Sequence, residues 1–294
     1  MLVTGASGHL GRRVVELLLE KQAGRIIAAT RTPEKLADFA AQGVIVRPAD
    51  FDDPASLAAA FSGVDRLLLV STDVLGEPGR RLTQHGNAVT AAEAAGVSHI
   101  VYTSIVNPGP DSPVFVAADH RGTEAAIMAT GMGWTMLRNN IYAEMLPMTL
   151  NRAIQMGSLF SAAGDGKTAY VTREDCARAA AAALAADFAG RRELDITGPE
   201  ALSQADLAAL ASEISGRPVN YIRLPLQTLI DNMVSAGLPQ PIAESYASFD
   251  AGAAQGKFEA VSNAVEELTG HKPMRIADFL AAERAALLQG VETH

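Results

Sequence analysis

Gly5, Gly8 and Gly11 fall three residues apart in Gly5-Ala6-Ser7-Gly8-His9-Leu10-Gly11, between an apolar run, Leu2-Val3-Thr4, and an amphipathic one, Arg12 to Leu19. Each glycine has a use. Gly5 lets the chain turn sharply, Gly8 lets backbone approach a phosphate, and Gly11 lets a helix lie close to a sheet. A helix beginning there offers free N–H groups and a positive dipole end. Strand, turn and helix in that order predict a dinucleotide site in which Ala6, Ser7, His9 and Leu10 also touch the cofactor. The spacing is Gly-x-x-Gly-x-x-Gly, not the Gly-x-Gly-x-x-Gly of most dehydrogenases.

Arg31 follows the next apolar run, Ile26-Ile27-Ala28-Ala29-Thr30. An acid at this place would bond ribose hydroxyls and repel a 2′-phosphate; an arginine pairs with that phosphate. The expectation is therefore NADPH, with NADH weaker. Asp50 and Phe51, after a third strand, are placed to bracket the adenine. Ser71 and Thr72 end a fourth strand, where the cofactor crosses the sheet. Tyr102, Thr103 and Ser104 end a fifth and are expected beside it.

An absence narrows the chemistry. Short-chain reductases usually donate a proton from the tyrosine of Tyr-x-x-x-Lys, whose lysine lowers the phenol pKa. None of the five tyrosines here has a lysine four residues on, and no lysine falls between Lys35 and Lys167. Val116 and His120 hold the spacing instead. This argues against alcohol dehydrogenation and sugar-nucleotide epimerisation.

The elements that must position these residues alternate. Strands are expected at 26–30, 44–46, 66–70, 99–103, 134–138, 191–196 and 220–222. Helices are expected at 33–41, 54–61, 82–95, 123–130, 151–155 and 204–212, with a mostly helical region from about 221 to 294. Alternation of this kind predicts an α/β fold: a Rossmann doubly wound parallel sheet with a smaller, mostly helical C-terminal lobe. A cofactor-binding core over 1–150 and a substrate lobe with the remaining sheet elements over 151–294 are expected to interleave as one unit. Met145, Met148 and Met156 are spaced either to line an adaptable pocket or to fill core.

Composition sets outer bounds. The 294 residues are 48% hydrophobic and 19% charged, with a net charge of −9. That balance suits a globular chain and argues against nucleic acid and anionic membranes. No apolar run is long enough to span a bilayer, and no basic leader precedes the first strand. The one cysteine, Cys176, excludes an intramolecular disulfide, reads as a buried inert thiol, and points to a reducing cytoplasm. Six scattered histidines give no metal-ligand spacing. Oligomeric state is left open.

The chain resembles the NmrA-like atypical short-chain dehydrogenases, and more closely their NADPH-dependent quinone oxidoreductase 2 subgroup, which has azo-dye and triphenylmethane-dye reductase relatives. The resemblance rests on the glycine turn, Arg31-Thr32-Pro33-Glu34-Lys35, Val46 to Phe51, Leu67 to Ser71, Ala118-Asp119-His120, Leu137 to Tyr142, Ala162 to Lys167 and Thr172 to Asp175. It implies NADPH without flavin or metal. It also implies a loop, Arg138 to Tyr142, beside the nicotinamide, with Asn139 and Tyr142 lining the acceptor pocket. Arg173 then either reaches toward the cofactor or sits as a surface charge. His120 either bonds near the nicotinamide or occupies a helix face.

The implied activity is hydride transfer to a small, electron-poor aromatic acceptor such as a quinone or azo compound. Such acceptors need alignment more than a strong general acid. The competing expectation is an NADP-binding redox sensor without turnover.

Overall fold

The computed structural model describes residues 1–74, 77 and 79–291; the end of the expected C-terminal helical region, 292–294, lies outside them. Eleven strands run in chain order: β1 Leu2–Val3, β2 Ile27–Thr30, β3 Ile45–Pro48, β4 Arg66–Leu69, β5 His99–Ile105, β6 Gly133–Asn139, β7 Ser158–Ser161, β8 Lys167–Thr168, β9 Arg191–Ile196, β10 Leu202–Ser203 and β11 Asn220–Arg223. The first α-helices are α1 His9–Glu20, α2 Ala37–Ala41, α3 Pro54–Phe61, α4 Arg80–Ala94, α5 Ala117–Met128, α6 Leu146–Met156 and α7 Arg173–Ala185. Then come α8 Gln204–Ser215, α9 Leu226–Ser235, α10 Gln240–Ala254, α11 Ala264–Thr269, α12 Ile276–Ala282 and α13 Arg284–Leu287.

Seven strands form one parallel sheet in the order β3-β2-β1-β4-β5-β6-β9. Its central strands are buried on both faces, which is why Leu67 to Leu69 of β4 is an unbroken apolar run and why the polar residues of β5 are buried as well. One face packs on α1 and α7 through Val14, Leu18, Ala180 and Leu184, with Ala264 and Val265 of α11 joining them. The other packs on α3, α4 and α5 through Phe61, Ala92 and Ile127. A separate cluster joins α6, α8, α12 and α13 around Leu150, Ala211 and Leu280. It forms the helical part expected from the C-terminal sequence.

Several expectations shift. Residues 33–41 form a 3-10 turn and a short helix, and Thr32 makes no side-chain cap. The helix expected at 123–130 begins at Ala117, and that at 151–155 extends over Leu146–Met156. Met145, Met148 and Met156 are not core: they are 43%, 76% and 53% exposed at the start of this amphipathic helix and along it, and of the three Met148 lines a cavity of about 390 Å³, with Asn151 and Phe279. Among the described residues no helix is long and apolar enough to cross a membrane, and no acidic, histidine and cysteine side chains cluster as metal ligands.

Candidate active site

Strand order reverses between β1 and β4, and there the carboxyl edge opens into a groove of about 490 Å³. Gly5 turns out of β1 with φ +59°, a conformation that suits glycine. Gly8 N–H donates back to Gly5 O at 2.9 Å. A Cβ on Gly11 would stand 2.4 Å from Gly5 O, so helix and turn can approach only with glycine there. Gly8 caps α1 without a side chain, leaving the first-turn N–H groups to a ligand. Ser7 Oγ lies 2.7 Å from Thr30 Oγ1 and ties the turn to β2.

At one end of the groove Arg31 is exposed and, among the described residues, has no hydrogen bond or ion pair. Arg12, at the start of α1, is by contrast committed, to Asp38 at 2.7 Å and Lys35 O at 2.8 Å. Asp50 and Phe51 form the wall opposite the glycine turn. Gln84 also lines the groove, and its Nε2 donates to Asp52 at 2.9 Å.

At the other end stand Ser71, Thr72, Thr103 and Tyr142. Thr103 Oγ1 accepts from Ser71 N–H at 2.9 Å, which fixes the ends of β4 and β5. Asn139 Nδ2 donates to Tyr142 Oη at 3.1 Å, leaving the phenol proton available for donation. Burial raises the Tyr142 pKa, so that proton is retained at neutral pH. The Arg173 guanidinium lies 5.4 Å from the Tyr142 ring, and Arg173 N–H donates to Glu144 at 2.8 Å.

Of the residues expected on the cofactor, the groove brings together Gly5, Ser7, Gly8, His9, Leu10, Gly11, Arg31, Asp50, Phe51, Ser71, Thr72, Thr103 and Tyr142. Others stand behind it. Ala6 is fully buried under the turn. Asn139 is 5% exposed and reaches the groove through Tyr142, with its Oδ1 unpartnered. Arg173 likewise stands behind the Tyr142 ring.

Tyr102, Ser104, Arg138 and His120 require correction. Alternation along β5 turns Tyr102 into the core on the α4–α5 side, where its hydroxyl lies 2.8 Å from His120 Nδ1. Ser104 donates to Glu124 at 2.6 Å, and Arg138 chelates the same carboxylate at 2.9 and 2.7 Å. His120 does not line the groove; of the two readings it takes the helix face, on the inward side of α5, buried between Tyr102 and Arg81 Nη2, the latter at 2.9 Å. Cys176 is buried and its thiol pKa is pushed up by burial, as an inert thiol requires.

Sequence reading missed Thr30, Ala49, Val70, Asp73, Val74 and Gln84 on the groove wall, and Arg81 and His85 behind it. Arg81, Gln84 and His85 share one face of α4 at i, i+3 and i+4, a polar stripe that the 80–85 run does display. His85 Nε2 accepts from Thr72 N–H at 3.0 Å, and His120 Nε2 accepts from Arg81. Both donors can only donate, so each imidazole is held neutral with its proton on Nδ1. Burial, with Arg81 adding, pulls the His85 pKa down to about 3.

The residues present fit NADPH. A Cβ on Gly8 would meet Gly5 O at 3.3 Å, the first-turn N–H groups, free of any side-chain cap, suit a pyrophosphate, and Arg31, with no hydrogen bond or ion pair among the described residues, suits a 2′-phosphate.

Residues 5–187 match the family described as NAD(P)H-binding. Quinone oxidoreductase 2 of Escherichia coli (strain K12) is 37% identical over 280 residues, covering 95% of this chain and 96% of that protein. Its crystal structure with NADPH superposes with a TM-score of 0.90 over 96% of this chain and 99% of that one. The NAD(P)H azoreductase of Xenophilus azovorans is 30% identical over 286 residues, covering 97% and 98% of the two chains. The Citrobacter sp. triphenylmethane reductase complexed with NADP(H) superposes with a TM-score of 0.89 at 32% identity, over 96% and 99%.

Proposed function

Because the chain belongs to the NAD(P)H-binding family, in its NmrA-like branch of NAD(P)H-dependent oxidoreductases, we propose that it is a flavin-independent NADPH-dependent reductase of quinones and related electron-poor aromatic acceptors such as azo compounds. The observation that carries this reading is the continuous groove from Arg31 past the glycine turn to Tyr142, polar at both ends and without a tyrosine–lysine pair.

NADPH, when bound, supplies hydride from C4 of its nicotinamide. The chain's own residues do the rest. Arg31 holds the 2′-phosphate, and α1 holds the pyrophosphate through its N–H groups. Asp50 and Phe51 bracket the adenine. Ser71, Thr72 and Thr103 support the nicotinamide end. Tyr142, fixed by Asn139 and backed by Arg173, borders the acceptor and can donate a hydrogen bond to its oxygen or nitrogen. Catalysis by alignment suits acceptors that take hydride directly.

The test follows NADPH oxidation by loss of nicotinamide absorbance, without added flavin, against menadione, a benzoquinone, a carboxylated azo dye and a triphenylmethane dye. Turnover is expected with a quinone or the azo dye. No turnover with any of the four, alongside tight NADP binding, would replace this reading with a redox-sensing regulator.

A further inference from the structure

Arg81 is 5% exposed, yet no carboxylate pairs with it among the described residues. Its Nη2 donates to His120, and its Nε has no partner. A buried guanidinium normally sits against an acid, because an unpaired buried charge is costly. The contrast lies within this chain: Arg138, also held between strands and α5, is neutralised by Glu124 and Glu193. Arg81 instead meets a neutral imidazole whose Nδ1–H is spent on a neutral phenol, Tyr102. Burial lowers its pKa, but a guanidinium keeps its proton in proteins. The charge is real and has no ion-pair partner among the described residues.

Its place is the carboxyl edge of the sheet. Arg81 lies in the first turn of α4, and His120 in the first turn of α5. Gln84, one turn further along α4, lines the groove, as does Asp73 just before the helix. Asp73, Asp119 and Tyr142 act on Arg81 at longer range, without an ion pair.

We propose that the Arg81 guanidinium, which makes no ion pair among the described residues, supplies a positive field at the acceptor end of the groove, so that the site favours acceptors that become anions on receiving hydride over cationic acceptors that become neutral. The inference rests on the reductase reading and names its substrate class: neutral quinones rather than triphenylmethane cations. A neutral quinone that gains hydride, with the electron pair of the broken cofactor C–H bond, becomes a hydroquinone monoanion, and water supplies the proton that completes the hydroquinone. A triphenylmethane cation takes the same hydride at its central carbon and ends neutral, with no proton required. A fixed cation stabilises the first product charge and repels the second reactant. Acting through space and through His120, Arg81 is a positioning residue.

The experiment compares Arg81→Gln and Arg81→Met with the wild-type protein. The first readout is kcat/KM for menadione and for a cationic triphenylmethane dye. The second is equilibrium binding, by calorimetry, of 2-hydroxy-1,4-naphthoquinone, an anion at neutral pH, against neutral menadione. Loss of the charge should lower the menadione-to-dye ratio of kcat/KM roughly tenfold or more, and weaken the anion by roughly tenfold while neutral menadione changes less than about twofold. Arg81→Lys, which keeps the charge, should hold the wild-type ratio. Parallel losses for both acceptors and both quinones, or a lysine variant that behaves like the glutamine one, would overturn the proposal and leave the reductase reading intact. Wild-type protein that reduces nothing would remove the reductase reading instead, and the binding comparison would still decide whether Arg81 selects anions.

Discussion

On the proposed reading cofactor choice turns on Arg31, which lines the groove without a hydrogen bond or ion pair among the described residues, whereas Arg12 is locked to Asp38. A charge-assisted pair with a 2′-phosphate contributes about 1.5–3 kcal/mol. Arg31→Ala should therefore raise KM for NADPH by roughly tenfold to a hundredfold and leave NADH within about twofold. Initial rates with the two cofactors decide it; equal changes would sink the 2′-phosphate assignment. This residue was legible because its chemistry depends on its position after a strand. Tyr102 and Ser104 were not, because sequence places them at a strand end without saying which way each side chain points. Their partners, His120 and Glu124, lie 18 and 20 residues away on α5.

Elements explain what pattern could and could not reveal. The glycine turn is set by contacts within a dozen residues, so it was readable, and its glycines separate into two roles. Gly11→Ala places a Cβ 2.4 Å from Gly5 O and should cost about 1–3 kcal/mol of stability. Gly8→Ala meets Gly5 O at 3.3 Å, in an extended conformation any residue adopts. It should preserve the melting temperature while sharply weakening NADPH, because the methyl fills the phosphate approach. Thermal melts paired with NADPH titrations test both; an unaltered affinity in Gly8→Ala would remove the pyrophosphate from this turn. Strand β7 escaped notice for the opposite reason. Ser158–Ser161 alternates buried and exposed, and its partner β11 lies about sixty residues on. Arg66 was read as a strand residue, yet its guanidinium serves α7, donating to Leu184 O, Phe188 O and Ala183 O at that helix's end.

For the molecule as a whole, buried histidines set the response to acid. His85 and His99 have pKa values pulled down to about 3 and about 4, mainly by burial, and that of His120 is also well lowered by the same cause. The unfolded chain binds these protons below about pH 6.5 while the native one does not. Stability is therefore fully present above that pH and falls on acidification toward the native values, by about 1.4 kcal/mol per pH unit for each histidine. Half-buried Asp119, Asp195 and Asp250, whose pKa values desolvation raises, work in the opposite sense. His99→Gln isolates one histidine's share: its unfolding free energy from denaturant titrations should match the wild-type pH dependence above about pH 6.5 and lose about 1.4 kcal/mol per pH unit of slope relative to wild type between about pH 6 and 5. A slope identical to wild type would show that His99 titrates alike in both states. The connectivity reaches further still. The main sheet finishes on β9, which follows α6, β7 and β8, and α11 returns from the helical region to cover α7. The acceptor side is stitched through the cofactor layer, not appended to it. A recombination event with one crossover would carry off part of the sheet along with the lobe. For a chain threaded this way, a change of acceptor is a matter of point substitution within an intact length, not of trading modules.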